Sequence, residues 1–302
     1  MDQFYVSVYT YINKKGKPRL IEKPEIKLRY IQKRIKTSLC YIYVPDWVFS
    51  GIKGKSYVDN ARCHMGNKHV YKMDIRAFFP SISREKVYYF FRDNLRTSPD
   101  IADALTSFTT IDLRRCNNAN LPEVEEFLAK KGIRTTNHLI SGSPASPILS
   151  FLVNLDMFDE LYTLSVHHSM TMTVYMDDIT FSSDNRISNR LINGIHNIIS
   201  KYNYVISSDK AKMYTKSYPK EITGTIIDKT GNLVIPNRLR YKIIQDFKKL
   251  RANPYNETLR QQLHGRVSSA RQIVPSAFPS IYRYVRYAQP TSDGNLHLPR
   301  AR

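Results

Sequence analysis

Two neighbouring carboxylates, Asp177 and Asp178, stand in Tyr175-Met176-Asp177-Asp178, flanked by Thr171-Met172-Thr173-Val174 and Ile179-Thr180-Phe181. The flanks are β-branched and aromatic with approximate alternation, which predicts a hairpin carrying both acids at its tip. Adjacent like charges repel unless a cation or solvent screens them. A solvated acidic turn is the plain alternative, because Asp bonds its own backbone in turns. A third carboxylate decides between the two readings. Asp74 ends the apolar run Val70-Tyr71-Lys72-Met73 and precedes a Phe78-Phe79-Pro80 turn and a helix capped by Ser83. A strand delivering Asp74 beside the hairpin gathers oxygen ligands of the kind Mg²⁺ prefers. Two such ions roughly 3.5–4 Å apart activate an attacking hydroxyl and neutralise a leaving pyrophosphate.

The Asp74 segment, Leu139-Ile140-Ser141-Gly142-Ser143-Pro144-Ala145-Ser146-Pro147 and Tyr175-Met176-Asp177-Asp178 follow one another in the order of reverse-transcriptase motifs A, B and C. Asn60-Ala61-Arg62-Cys63-His64 resembles the NAxxH element of retron reverse transcriptases, and Ile222-Thr223-Gly224 resembles their VTG element with Ile for Val. The chain is therefore similar to retron reverse transcriptases over nearly its whole length. The resemblance implies two Mg²⁺ on Asp74, Asp177, Asp178 and the Ile75 carbonyl. It implies triphosphate binding by Arg19, with Lys14 as a second cation, in a hairpin on either side of Lys14-Lys15-Gly16-Lys17-Pro18. Phe79 matches the bulky position that excludes a ribose 2′-hydroxyl, and Phe78 is assigned to packing. Ser141 stands where Gln is common, Gly142 permits close backbone approach, and Ala77 and Met176 replace residues more usual in the family. Val205-Ile206-Ser207-Ser208-Asp209-Lys210 resembles the motif D strand, making Lys210 a candidate acid for pyrophosphate departure. Asn60, His64, Thr223 and Gly224 become candidate RNA contacts.

The elements that must position these groups fall into an α+β architecture, the right-hand polymerase fold. We expect fingers in residues 1–70, with 116–140 partly fingers, interleaved with a palm in 71–235 and followed by a helical thumb and RNA-binding region in 236–302. Residues 25–40 show helical spacing of Leu28, Ile31, Ile35 and Leu39. So do Arg238–Leu250 and Leu259–Ile273. The chain carries 46 basic against 26 acidic residues, a formal charge of +20 that suits a polyphosphate partner. From residue 236 onward there are 13 Lys or Arg and three acids. There Ile281-Tyr282-Arg283-Tyr284-Val285-Arg286-Tyr287 interleaves rings and guanidiniums, so Arg283, Tyr284 and Arg286 are candidate RNA contacts. An amphipathic helix with a packed Tyr face is the structural alternative.

Other classes are excluded. No apolar run approaches the roughly 20 residues needed to span a bilayer, and the polar start lacks a signal-peptide core. Cys40, Cys63 and Cys116 are too few and too dispersed for a zinc or disulfide framework, which suggests a cytoplasmic protein. The expected partners are dNTPs, a cognate retron noncoding RNA with its RNA-linked DNA product, and a separate effector protein in anti-phage defence, with no membrane. Another bacterial reverse transcriptase, group II intron-like or defence-associated, is one alternative. A nonenzymatic RNA-binding scaffold is the other.

Overall fold

The computed structural model describes residues 6–12, 16, 18–116, 120–133, 135–287, 289–290 and 296–297. In chain order its elements are β1 (Val6–Ile12), β2 (Pro18–Pro24), α1 (Ile26–Leu39), α2 (Tyr57–Arg62), β3 (His69–Asp74), α3 (Arg84–Tyr89), α4 (Pro99–Thr109), β4 (Thr110–Asp112), α5 (Leu121–Lys130) and β5 (Asn137–Leu139). There follow α6 (Ser146–Leu152), α7 (Leu155–His167), β6 (Thr171–Tyr175), β7 (Asp178–Ser183), α8 (Asn189–Lys201), β8 (Lys212–Tyr214), β9 (Lys220–Ile222), β10 (Thr225–Ile227) and β11 (Leu233–Val234). The chain then turns helical in α9 (Asn237–Ala252), α10 (Glu257–Ile273) and α11 (Pro279–Tyr287).

The central sheet runs β6-β7-β3-β8, every neighbouring pair antiparallel. Because side chains alternate along a strand, Tyr71, Met73, Met172, Val174, Ile179 and Phe181 share one face. They pack in a core with Leu149, Phe158, Leu161, Ile195 and Ile199 from α6, α7 and α8. Val70 belongs to the opposite face and packs with Ala61, Ile222 and Ile227 from α2, β9 and β10. Asp74, Asp178, Thr180 and Ser182 share that second parity. Burial on both faces explains why β7 has no exposed residue. The outer edge of β6 is covered too: Phe49 N–H donates to the Val174 carbonyl, and Val174 N–H donates to that of Trp47, both at 2.9 Å.

The β1–β2 hairpin pairs from Val6↔Pro24 to Ile12↔Pro18. Val6 and Val8 pack with Leu28, Ile111, Leu113, Val124, Leu128 and Ile140, so α5, in the polar stretch between the first two motifs, supports this hairpin from behind. Pro122 lies in the first turn of α5, where its missing N–H costs nothing. The helices α9, α10 and α11 pack around Ile243, Leu250, Leu263, Val267, Ala270 and Ile273 in a second core that Val58 of α2 and Ile235 also join. Buried Asp246 is ion-paired with Arg266 across α9 and α10. One sequence expectation shifts: residues 205–210 form no strand, only the single bridge Ile75↔Ile206, and the strand beside β3 is β8 instead. Ser207 N–H donates to the Asp74 carbonyl at 2.8 Å, and Lys210 and Ala211 N–H turn back onto the Ser207 carbonyl at 3.0 Å. That turn carries the side chains of Ser207 and Lys210 to Asp74.

Candidate active site

Register brings the acids together. Asp74, the last residue of β3, lies opposite Asp178, the first of β7. Tyr175 and Asp178 close the β6–β7 hairpin through Met176 and Asp177, and Met176 takes the left-handed conformation (φ 57°). Ile75 N–H donates to the Asp177 carbonyl at 2.9 Å, tying the hairpin tip to the end of β3. Burial, then the charges of Asp74 and Asp178, push the Asp177 carboxyl up to about 7 from its usual 3.8. Burial also raises Asp178, against the pull of Lys72.

Two ammonium groups offset this charge. Lys210 Nζ donates to both Asp74 carboxylate oxygens at 2.7 Å, with Ser207 Oγ on Oδ2 at 3.0 Å. Lys72 Nζ lies 3.3 Å from Asp178 Oδ1. Among the described residues no group of three or more His, Cys, Asp or Glu side chains is placed to hold a metal ion. The donors are nevertheless all oxygens, and the lysines mark where positive charge is needed. The donor chemistry of the three acids therefore fits hard divalent cations, while Lys210 and Lys72 occupy Asp74 and Asp178 here.

The remaining predicted nucleotide-site residues differ in burial and in what they touch. Phe78 is buried against Phe158 and Tyr204, whereas Phe79 starts a 3₁₀ turn and is only partly buried. Arg19 is exposed near the hairpin tip opposite Tyr11, and Lys14 lies outside the described residues. Ser141 N–H donates to Glu22 Oε2 at 2.7 Å. The close backbone approach at Gly142 is to β2: a Cβ there would stand 1.8 Å from the Glu22 carbonyl oxygen.

Four of the seven RNA-contact expectations are corrected. Asn60 and His64 are fully buried. His64 Nδ1 meets Ser182 Oγ and Nε2 meets Thr173 Oγ1, both at 2.7 Å, so the imidazole staples β7 to β6 beneath the acids. Burial depresses its pKa to about 3, keeping it neutral. Thr223 and Gly224 are the two central residues of the β9–β10 hairpin, with φ of 44° and 85°, the geometry of a type I′ turn. Thr223 Oγ1 donates to the Tyr57 carbonyl at 2.8 Å and accepts from Asn60 Nδ2 at 3.3 Å. His64 and Thr223 thus direct their polar side-chain atoms to partners inside the protein, Asn60 does so through Nδ2 while its buried Oδ1 has no partner among the described residues, and Gly224 remains exposed. Tyr284 is also internal, edge-on to Phe247 at 5.2 Å, because it falls on the packed face of α11. Arg283 and Arg286 lie on the exposed face.

Sequence reasoning missed Ser207, Lys72, Glu22 and His138. A run of hydroxyls on one parity of the hairpin, Thr173, Thr180 and Ser182, was the signal for a buried polar partner such as His64.

Comparison with known proteins gives the setting. Residues 12–227 match the family model described as reverse transcriptase (RNA-dependent DNA polymerase). The chain is 27% identical over 205 residues to the Retron Se72 reverse transcriptase of Salmonella heidelberg, covering 65% of this chain and 47% of that protein. It is 22% identical over 266 residues to the Retron Ec83 reverse transcriptase of Escherichia coli, covering 85% and 80%. The chain thus spans about half the length of the first relative and most of the second. Apo telomerase from Candida tropicalis shares the fold with a TM-score of 0.51 at 11% identity, covering 92% of this chain and 59% of that one.

Proposed function

Because the chain belongs to the reverse transcriptase (RNA-dependent DNA polymerase) family, we propose that it is the polymerase of a retron, copying part of a cognate structured noncoding RNA into RNA-linked single-stranded DNA. The observation that carries this reading is the register of Asp74 against Asp178, with Asp177 on the same hairpin tip. Members of the family generally use divalent metal ions. Two Mg²⁺ held by Asp74, Asp177, Asp178 and the Ile75 carbonyl would lower the pKa of the priming hydroxyl and neutralise charge on the triphosphate.

The chain's own groups do the rest. Arg19 grips phosphate oxygens of the incoming dNTP, a task suited to its planar fork. Phe79 excludes the 2′-hydroxyl. Lys210 leaves Asp74 when the site fills, and its Nζ is then free to donate a proton to the departing pyrophosphate. His64, Ser182 and Thr173 keep the acid hairpin in register. An RNA template is the partner that the family and its retron relatives imply. Exposed Arg238, Lys242, Lys248 and Arg251 on α9, with Arg283 and Arg286, offer it a basic face. Fingers, palm and thumb correspond on this reading to 1–70 with 116–140, 71–235 and 236–302. A place in anti-phage defence beside a separate effector protein is part of the same proposal.

The test is incubation of the purified protein with the noncoding RNA encoded beside it, Mg²⁺ and dNTPs. DNA branched from a guanosine 2′-hydroxyl supports the retron reading. Linear product on any primer points to another polymerase, and no product refutes the enzymatic reading.

A further inference from the structure

The nucleotide-binding hairpin is anchored by a buried ionisable pair. Glu22 lies on β2, three residues beyond Arg19, and His138 lies on β5, three residues before Ser141. Both side chains are entirely buried, and His138 Nε2 lies 2.7 Å from Glu22 Oε1. The second carboxylate oxygen accepts from Ser141 N–H at 2.7 Å. One carboxylate therefore ties together two segments 116 residues apart and spends both oxygens doing so. Gly142 lets the strands meet, since any Cβ there would collide with the Glu22 carbonyl. His138 is also bridged to Ser83, and Leu139 N–H donates to the Ile82 carbonyl at 2.9 Å, so the strut's footing is the segment just after Phe79. His138 Nδ1 has no hydrogen-bond partner among the described residues.

A buried carboxylate is costly unless fully bonded. A packed apolar contact would hold two segments together at less cost, but it would not fix their relative height as two directed bonds do. Beyond the pair the hairpin projects outward: Tyr11 and Ile12 near its tip are 49% and 69% exposed. Its aim depends on its base.

We propose that the Glu22–His138 pair is a positioning strut that sets the height of Arg19 over the Ser141–Gly142 turn, so that the affinity for the incoming dNTP depends on it. This rests on the polymerase reading above. His138→Ala removes the footing, and His138→Gln keeps a donor near the Nε2 position. In primer extension we expect His138→Ala to raise the dNTP KM at least about tenfold, with kcat within about threefold and template–primer affinity unchanged, and His138→Gln to restore most of it. Loss of folded protein alone lowers apparent kcat and leaves KM untouched. Should His138→Ala fail to fold, Glu22→Gln keeps the shape and the acceptor for Ser141 N–H and is expected to move the dNTP KM in the same direction.

Hydrogen exchange provides a readout independent of activity. Amides of β2 should exchange faster in the variant while β3 and β7 stay protected. An unchanged dNTP KM in a folded variant overturns the proposal, as does unaltered exchange in β2. A wild type that makes no DNA overturns the polymerase reading instead and leaves the exchange result to judge the strut.

Discussion

Replacing Asp177 with Asn should stabilise the metal-free protein while ending its activity. Burial, reinforced by Asp74 and Asp178, raises this carboxyl from 3.8 to about 7. An acid whose folded-state pKa exceeds its unfolded value costs stability once ionised. The cost is small near pH 4, grows as the pH climbs, and is complete above about pH 7. At about 1.4 kcal/mol per unit the whole window corresponds to roughly 4 kcal/mol, an upper bound. Water at the hairpin tip and relaxation of its neighbours reduce this to about 1–2 kcal/mol, or roughly 2–6 °C in melting temperature for a chain of this size. The assay is thermal unfolding in EDTA at a series of pH values, reading the variant minus the wild type so that other titrating groups cancel. The difference should widen as pH rises, and added Mg²⁺ should raise the wild type more than the variant. A variant that melts at or below the wild type at pH 8, or a difference that does not vary with pH, would refute this electrostatic account.

Other perturbations follow from the same geometry. His64, a base depressed from 6.5 to about 3, contributes stability that is present above about pH 6.5 and lost as pH falls toward 3. Denaturant titrations of His64→Gln should therefore show a flatter acid-side slope than the wild type, and an identical slope would contradict the neutral-staple role. Phe79→Val should weaken discrimination against ribonucleotides by about tenfold or more, equivalent to ~1.4 kcal/mol, in single-nucleotide incorporation; unchanged discrimination removes the gate assignment. Met176 holds a left-handed turn position with φ 57°, where a side chain costs about 1 kcal/mol. Met176→Gly should thus raise stability by roughly 0.5 kcal/mol after glycine's entropy cost, and a lowered melting temperature would show that the Met side chain matters more than its backbone.

Much of the catalytic centre was legible because it depends on local pattern. Strand alternation fixed which face Asp74 and Asp178 occupy, and the Ser83 cap and the apolar spacing of α1, α9 and α10 are short-range signals that survive into the fold. What escaped depends on contacts between distant segments. Nothing around Asn60 or His64 distinguishes a polar residue facing RNA from one bonding Thr223, Thr173 or Ser182, since the motif is the same string in either case. Glu22 and His138 carry no local mark of their pairing. The stretch after Val205 looked like a strand from its first residues, but Ser207 and Lys210 are drawn off to Asp74 and the ladder resumes only at Lys212. Tyr284 was misread because a ring among arginines suits stacking and helix packing equally well until the neighbouring helices are in place.

Primer extension on an RNA template with Mg²⁺ and dNTPs, comparing the wild type with the Asp177→Asn, Asp178→Asn double variant, tests the central claim most directly. The account predicts DNA from the wild type and none from the double variant, with RNA binding by the two proteins equal within about twofold. Undiminished synthesis by the double variant, or no synthesis by the wild type, would contradict it.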